Sequence, residues 1–219
     1  MPIRVAQTQR KEVKFVLGSG CFYGGDLVHL IDGGKRSISK LKVGDPIWSL
    51  NLDGNGIIED EIVLMMHNEA NKSALFYTFT TSDCNEVSLT DSHNIPVYCW
   101  NKNKIEIILA SKVTINDRLI MYGKKVEIKN ISINIRQGFY SPLTVTGYLF
   151  VNNISTSVFS DNYKVSSSTV QFVFTPIRIY YHLMRWIYGN EYIPFAHIQQ
   201  GLHPIPAFYK KNIKHNFDF

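Results

Sequence analysis

The chain has 219 residues, 45% of them hydrophobic and 19% charged, the proportions of a globular protein with a sizeable core. That length allows one large all-β domain, or one domain with a small appendage. A formal net charge of +5, with no block of like charges, fits weak attraction to an anionic membrane surface or to nucleic acid, or nothing special.

The cysteines are Cys21, Cys84 and Cys99. An odd count with no CxxC pair argues against a disulfide framework, and no cysteine–histidine spacing reads as a metal site. No metal or cofactor is expected. Residues 1–20 are polar and basic without the apolar run of a signal peptide, and no apolar stretch is long enough to span a bilayer. If the chain is the C-terminal part of a longer precursor, a signal would lie outside it.

In chain order, residues 1–20 read as an upstream tail, with a short strand at Val13–Leu17 broken by Gly18-Ser19-Gly20. Leu27–Ile31 reads as a strand followed by the turn Asp32-Gly33-Gly34, and Ser37–Leu41 alternates polar and apolar residues. Ile47–Leu50 and Ile57–Met66 read as strands around a hairpin at Leu52–Gly56. Further strands are expected at Leu75–Thr80, Val87–Thr90, Ile95–Tyr98, Ile105–Leu109, Arg118–Met121, Lys125–Ile133, Leu143–Val145 and Leu149–Val151. One internal similarity stands out: Ser39-Lys40-Leu41-Lys42-Val43-Gly44-Asp45-Pro46-Ile47 resembles Ser111-Lys112-Val113-Thr114-Ile115-Asn116-Asp117-Arg118-Leu119. Either chance or duplication produces this; duplication would make the β domain two related halves, with a site where they meet.

The pattern changes near residue 160. Thr175-Pro176 predicts a helix start, with Ile179, Leu183, Trp186 and Ile187 on one face and Gly189 as the stop. Arg178, His182 and Arg185 fall with tyrosines on the other side. Residues 161–219 therefore read as a smaller, helical C-terminal appendage. Its aromatic content reads either as a small core or as an apolar surface for a lipid or a membrane.

A cysteine directly after Gly18-Ser19-Gly20 is poorly placed for packing and well placed to act on the peptide bond before it. Such chemistry needs a nucleophile, a proton donor for the amide nitrogen, a group that orients or strains the peptide, and oxyanion donors. The Cys21 thiol can attack the Gly20 carbonyl through a five-membered ring, unobstructed by a side chain at Gly20. The amine leaves only if protonated, and Thr90 and His93, in Leu89-Thr90-Asp91-Ser92-His93, are the candidates to assist. Alone, such a cysteine is usually packing and such a Thr-x-x-His usually a local turn; together they are more specific.

These residues carry a family resemblance. Gly20-Cys21-Phe22, Ile38-x-x-Leu41-x-Val43-Gly44-Asp45-x-Ile47, Leu89-Thr90-x-x-His93 and Pro142-Leu143-Thr144-Val145-x-Gly147-x-Leu149-x-Val151-Asn152 together resemble the autoprocessing domain of hedgehog proteins, which has the hedgehog/intein (Hint) fold. The resemblance covers residues 21–160. Residues 161–219 are similar, more loosely, to the adduct-recognition region that follows this fold in hedgehog and related nematode proteins, with Gly201-Leu202-His203 near the end. It implies an all-β, pseudo-twofold domain with a small helical appendage, and a chain that divides into 1–20, 21–160 and 161–219.

The resemblance also implies a two-step reaction. Cys21 forms a thioester with Gly20, assisted by Thr90 and His93; an alcohol then releases the upstream segment as an ester. In hedgehog proteins the alcohol is cholesterol and an aspartate is its general base. Allowing one extra residue in the hairpin, the aspartate's place falls on His67; without it, on Met66. His67 is preferred, because an imidazole titrating near ~6.5 suits neutral pH better than a carboxyl near ~3.9. Trp186, Tyr181 and Leu183 become candidates for lipid contact. The implied partners are cholesterol or another lipid alcohol and a membrane surface, with no nucleic acid. A monomer is expected, working in the secretory pathway, in the endoplasmic reticulum lumen. Two alternatives stay open: hydrolysis of the thioester without lipid transfer, and an inactive β-rich binding module.

The late cysteine of some hedgehog proteins aligns near Val158, so Cys21 has no such partner, and Cys84 and Cys99 read as packing cysteines. Splicing, which needs a terminal His-Asn before Cys, Ser or Thr, is not expected: His215-Asn216 precedes Phe217.

Overall fold

The computed structural model describes residues 20–50, 56–160, 167–195, 198 and 200–208. The strand expected at Val13–Leu17 and the tip of the Leu52–Gly56 hairpin lie outside the described residues. The body is all-β: β1 Phe22–Tyr23, β2 Leu27–His29, β3 Lys35–Ser37, β4 Pro46–Leu50, β5 Ile57–Thr81, β6 Glu86–Thr90, β7 Asn94–Cys99, β8 Lys104–Leu109, β9 Arg118–Met121, β10 Lys124–Thr144, β11 Tyr148–Val151 and β12 Ile154–Ser157. A helix, α1 (Ser167–Tyr188), and a short strand, β13 (Gly201–Leu202), follow.

Two very long strands form the backbone of the fold. β5 has 25 residues and β10 has 21, and they pair antiparallel from Ile128↔Thr81 to Thr144↔Ile62. Each was expected as two strands. The connecting stretches, 67–74 and 134–142, are rich in polar residues of weak strand propensity, yet they pair with each other across the gap, with register shifts at Gln137/Phe139 and Ser141/Pro142. Gly138, at φ +85°, supplies the left-handed residue one of those bulges uses.

The internal similarity is structural. Residues Ile38–Lys40 and Ala110–Lys112 each form one 3-10 turn, the first within the stretch of alternating polar and apolar residues at Ser37–Leu41. Each turn is closed by the same device: the Lys42 amide donates to the Asp45 carboxylate at 2.7 Å, and the Thr114 amide donates to the Asp117 carboxylate at 2.9 Å. Each leads into a hairpin, β4–β5 in the first half and β9–β10 in the second. The halves meet where β5 lies against β10, and β1, carrying the residues after Cys21, pairs with β10 on one side and β6 on the other.

A smaller sheet, in the order β12-β11-β2-β3, covers the larger one. Buried Val28, Leu149, Val151 and Ile154 from it join Ile62, Leu64, Phe79, Leu89 and Val97 in one core. Cys84 is not a packing residue: it is exposed, in a turn at φ +59°, while Cys99 is half-buried against the core.

The helix begins at Ser167, eight residues before the expected cap, and runs through Pro176. The Thr175 hydroxyl donates to the Gln171 carbonyl at 3.0 Å, bonding within the turn where proline disturbs the backbone ladder. Gly189, at φ +95°, ends the helix by donating its amide to the Arg185 carbonyl. The helix buries a mixed face of apolar residues and arginines, and leaves a second apolar stripe outside. Its two arginines face the body: Arg178 Nε donates to the Thr144 carbonyl at 3.1 Å, and Arg185 pairs with Glu61 beside the Tyr181 hydroxyl. Phe174, Ile177 and Tyr181 are buried with them, while Trp186 is 83% exposed and Phe172 is 79% exposed.

Candidate active site

The start of β1 places Cys21 at the bottom of a closed site. The residue is fully buried, against Ala74, Phe76 and Phe139, with Tyr23 packed alongside. Gly20 precedes it where no side chain fits: a Cβ there would lie 2.2 Å from the Cβ of Ser160. Only glycine lets the chain pass Ser160 on its way into the site.

Thr90, at the end of β6, holds the backbone of residue 21. Its hydroxyl accepts the Cys21 amide N–H at 2.9 Å, and its own amide donates to the Cys21 carbonyl at 3.0 Å. The N–H taken by the threonine is that of the Gly20–Cys21 peptide. A hydrogen bond drawn from that nitrogen, out of the peptide's own sheet ladder, fixes the orientation of the bond.

His93 follows in the turn between β6 and β7, where its amide donates to the Thr90 carbonyl. Its ring is completely buried, with the edge of Phe22 at 4.3 Å between centroids. Nε2 lies 2.7 Å from the Ser157 carbonyl, which can only accept, so Nε2 carries the proton. Nδ1 is buried on the side of the ring away from Ser157, and the imidazole lies against the Gly20 backbone. Burial pushes the imidazole down to about 4, against the opposing pull of the Ser157 and Gly20 backbone. The ring is therefore neutral at pH 7, with an unshared pair on Nδ1 at the peptide to be broken.

On the sulfur side stands His67, in the middle of β5. Its Nδ1 is 3.9 Å from Cys21 Sγ, and its ring meets Phe139 edge-on at 5.0 Å. That separation is long for direct proton transfer, but it puts an imidazole beside any acyl group carried on the sulfur. Met66, the alternative position, is a buried core residue. The structure thus brings together Gly20, Cys21, His67, Thr90 and His93 from three separate stretches of the sequence.

Of the three residues grouped for lipid contact, Trp186 and Leu183 lie on the exposed face of α1 with Phe172 and Ile179. Tyr181 does not. It is 1% exposed and packs the helix against the body, because its hydroxyl is taken by Glu61 and Arg185. Sequence reasoning missed three contributors. Ser160 and Ser157 act through proximity and a backbone carbonyl, which leave no side-chain signature. Glu69 is buried on β5 two residues after His67, hence on the same face, a spacing that shows once residues 67–74 are read as strand.

Comparison with known proteins gives a consistent result. The family model for the Hint module matches residues 9–206. Tiggy-winkle hedgehog protein of Danio rerio is 26% identical over 195 residues, which is 84% of this chain and 45% of that protein. Warthog protein 4 of Caenorhabditis elegans is 30% identical over 164 residues, 68% of this chain and 29% of its own length. The chain thus spans less than half of each of these relatives. Among solved structures, a DnaB intein from Synechocystis matches with a TM-score of 0.54 at 15% identity, over 64% of this chain and 98% of the intein. The gp41-1 intein matches with a TM-score of 0.51 at 18% identity, over 63% and 98%. At these identities the inteins speak to the fold.

Proposed function

The chain belongs to the Hint module family, and from that premise we propose that it is a single-turnover self-processing domain that cleaves its own Gly20–Cys21 bond and passes the upstream segment to a lipid alcohol. The observation that carries this reading is the placement of Cys21 between two imidazoles, one against the peptide it follows and one beside its sulfur.

In the first step the thiol proton passes to His93 Nδ1 as Sγ attacks the Gly20 carbonyl carbon. The tetrahedral centre collapses with loss of the Cys21 nitrogen, which takes the proton from His93. A thioester and a free amine result. Thr90 holds the scissile N–H against its hydroxyl, which fixes the nitrogen in position to take the proton from His93. A neutral resting His93 suits both halves of this transfer.

In the second step the sulfur bears no proton, and His67 takes one from the attacking alcohol. The alcohol oxygen bonds to the Gly20 carbonyl carbon, the C–S bond breaks, and the departing sulfur takes the proton from His67, which restores the thiol. The product is residues 1–20, with anything upstream, as an ester at Gly20.

The exposed face of α1 supports a lipid acceptor. Phe172, Ile179, Leu183 and Trp186 recur at helical spacing and face outward, while the arginines are used internally. An outward apolar stripe of this kind suits uptake of a sterol from a membrane surface, and the net charge of +5 favours an anionic one. Among the described residues no helix is long and apolar enough to cross a membrane. The similarity to hedgehog proteins favours a sterol and a precursor in the secretory pathway. Hydrolysis, with water in place of the alcohol, uses the same site and differs in the product.

The full chain incubated with cholesterol in detergent tests this. The expected product is residues 1–20 heavier than the free acid by one esterified sterol. A free carboxylate supports hydrolysis instead, and an intact chain at neutral pH under reducing conditions contradicts self-processing altogether.

A further inference from the structure

His67 sits under a part of the C-terminal segment that reaches back to β5. Gly201 pairs with Asn68 and Leu202 with His67, and the His203 amide donates to the Met66 carbonyl at 2.8 Å. Asn68 Nδ2 donates to the Ile198 carbonyl at 3.2 Å. Four backbone and side-chain contacts therefore fall on residues 66–68 alone. A fifth comes from Gln200, whose Nε2 donates to Glu69 Oε1 at 2.5 Å.

Glu69 is 2% exposed, an unusual setting for a carboxylate. Its other oxygen takes the Lys72 ammonium at 2.8 Å, and that lysine side chain is 58% exposed. A salt bridge to an exposed lysine gives no reason to keep the carboxylate inside, because the same pair forms equally well at the surface. The site does give one: Glu69 lies on the His67 face of β5, and Phe139, which His67 meets edge-on, is directly across the ladder from it.

We propose that Glu69 is a positioning residue for His67, stabilising the imidazolium formed when the base takes the acceptor's proton, and that Gln200 locks it, so that the acceptor step depends on the seated residues 200–203. This rests on the reading of His67 as the second-step base. The charges act on each other: burial raises the Glu69 carboxyl, but hydrogen bonds from Lys72 and Gln200 and the charges of Lys72 and His67 bring it below its ordinary value. It is therefore ionised when an imidazolium needs it. The titratable groups about His67 are the Cys21 thiol at the start of β1, Glu69 and Lys72 on β5, Tyr140 on β10, which feels Glu69, and His203 beyond β13. Of these, Glu69 is the buried carboxylate.

The test uses the full chain in two parallel reactions, dithiothreitol release as the measure of thioester formation and release to cholesterol in detergent micelles, or to water where no ester forms, as the acceptor step. For Glu69→Gln the ratio of acceptor to thiol release should fall about threefold to tenfold. The acid limb of the acceptor step should also move to lower pH, because an imidazole without its carboxylate holds a proton less tightly. Gln200→Ala should shift both in the same direction by less, and Glu69→Asp should recover part of the loss. Equal slowing of both reactions, or an unmoved pH profile, overturns the inference; if Glu69→Gln fails to fold, Gln200→Ala and Glu69→Asp decide it. His67→Ala separates the two readings. If it keeps the acceptor step, His67 is not the base; if it loses that step while Glu69→Gln and Gln200→Ala behave as wild type, only the role of Glu69 is lost.

Discussion

The two sides of Cys21 are built on different terms. On the amide side, Thr90 and His93 are 4% and 0% exposed, and everything that holds them belongs to the β body: the β6–β7 turn, the Ser157 carbonyl, the edge of Phe22. On the sulfur side, His67 is half-buried, and its strand is bordered by residues from the far end of the chain. The difference follows from what each side handles. A group that works only on its own peptide bond gains from full enclosure, which fixes geometry and keeps the imidazole neutral. A group that activates an outside acceptor must stand where another element can admit or present that acceptor.

The sharpest way to break this division is His93→Ala. Without a proton for the leaving nitrogen, the thioester does not accumulate, and both dithiothreitol-induced and sterol-dependent release should fall by about 10²–10⁴-fold, read by gel or mass. Survival of either reaction would remove His93 from the first step. A smaller effect is expected from the lipid-facing side. Trp186→Asp with Phe172→Asp changes only exposed residues, so sterol-dependent release should slow about tenfold at limiting sterol while thiol-induced release holds. Equal rates at all sterol concentrations would detach the stripe from lipid uptake.

A further effect concerns the fold, and leaves the reaction rate at neutral pH least changed. Burial pushes the Asp26 carboxyl up to about 7, against hydrogen bonds from Ser88 and Asn152 and the charge of Arg136. The folded chain then holds a proton that the unfolded chain releases, so this group supports folding below about pH 4, and that support is lost as pH rises toward 7. His93 works in the opposite sense: its ordinary value is 6.5 and its folded value about 4, so its neutral form supports folding above pH 6.5 and that support is lost as pH falls toward 4. Comparing wild type with Asp26→Asn by denaturant unfolding isolates the first term. The variant should gain on wild type by about 3–4 kcal/mol between pH 4 and pH 8. A constant difference would mean that Asp26 does not titrate in this range.

The sequence makes the amide side easier to read than the sulfur side. Cys21, Thr90 and His93 sit in short local patterns, and the repeated Ser-Lys turn foretells the two halves that frame them. His67 lacks such a pattern, because its neighbours Asn68, Glu69, Asn71 and Lys72 look like a loop when taken singly. They become strand only because residues 134–142 pair with them, and that strand is what places Glu69, Gly201 and Leu202 beside the base. The helix was misleading for a related reason. Periodicity shows that Ile179, Leu183 and Trp186 share a face, but it does not say whether the face looks inward; Glu61 and the Thr144 carbonyl decide that by drawing Arg185 and Arg178 inward.

The most direct measurement is a single comparison on His67→Ala: release by dithiothreitol against release by cholesterol, from the same preparation of full-length chain. The account predicts that thiol-induced release persists while sterol-dependent release drops by about a hundredfold or more, since a strong soluble nucleophile needs no base and a sterol hydroxyl does. Equal loss of both reactions, or sterol transfer at the wild-type rate, would contradict the division between the two sides of Cys21.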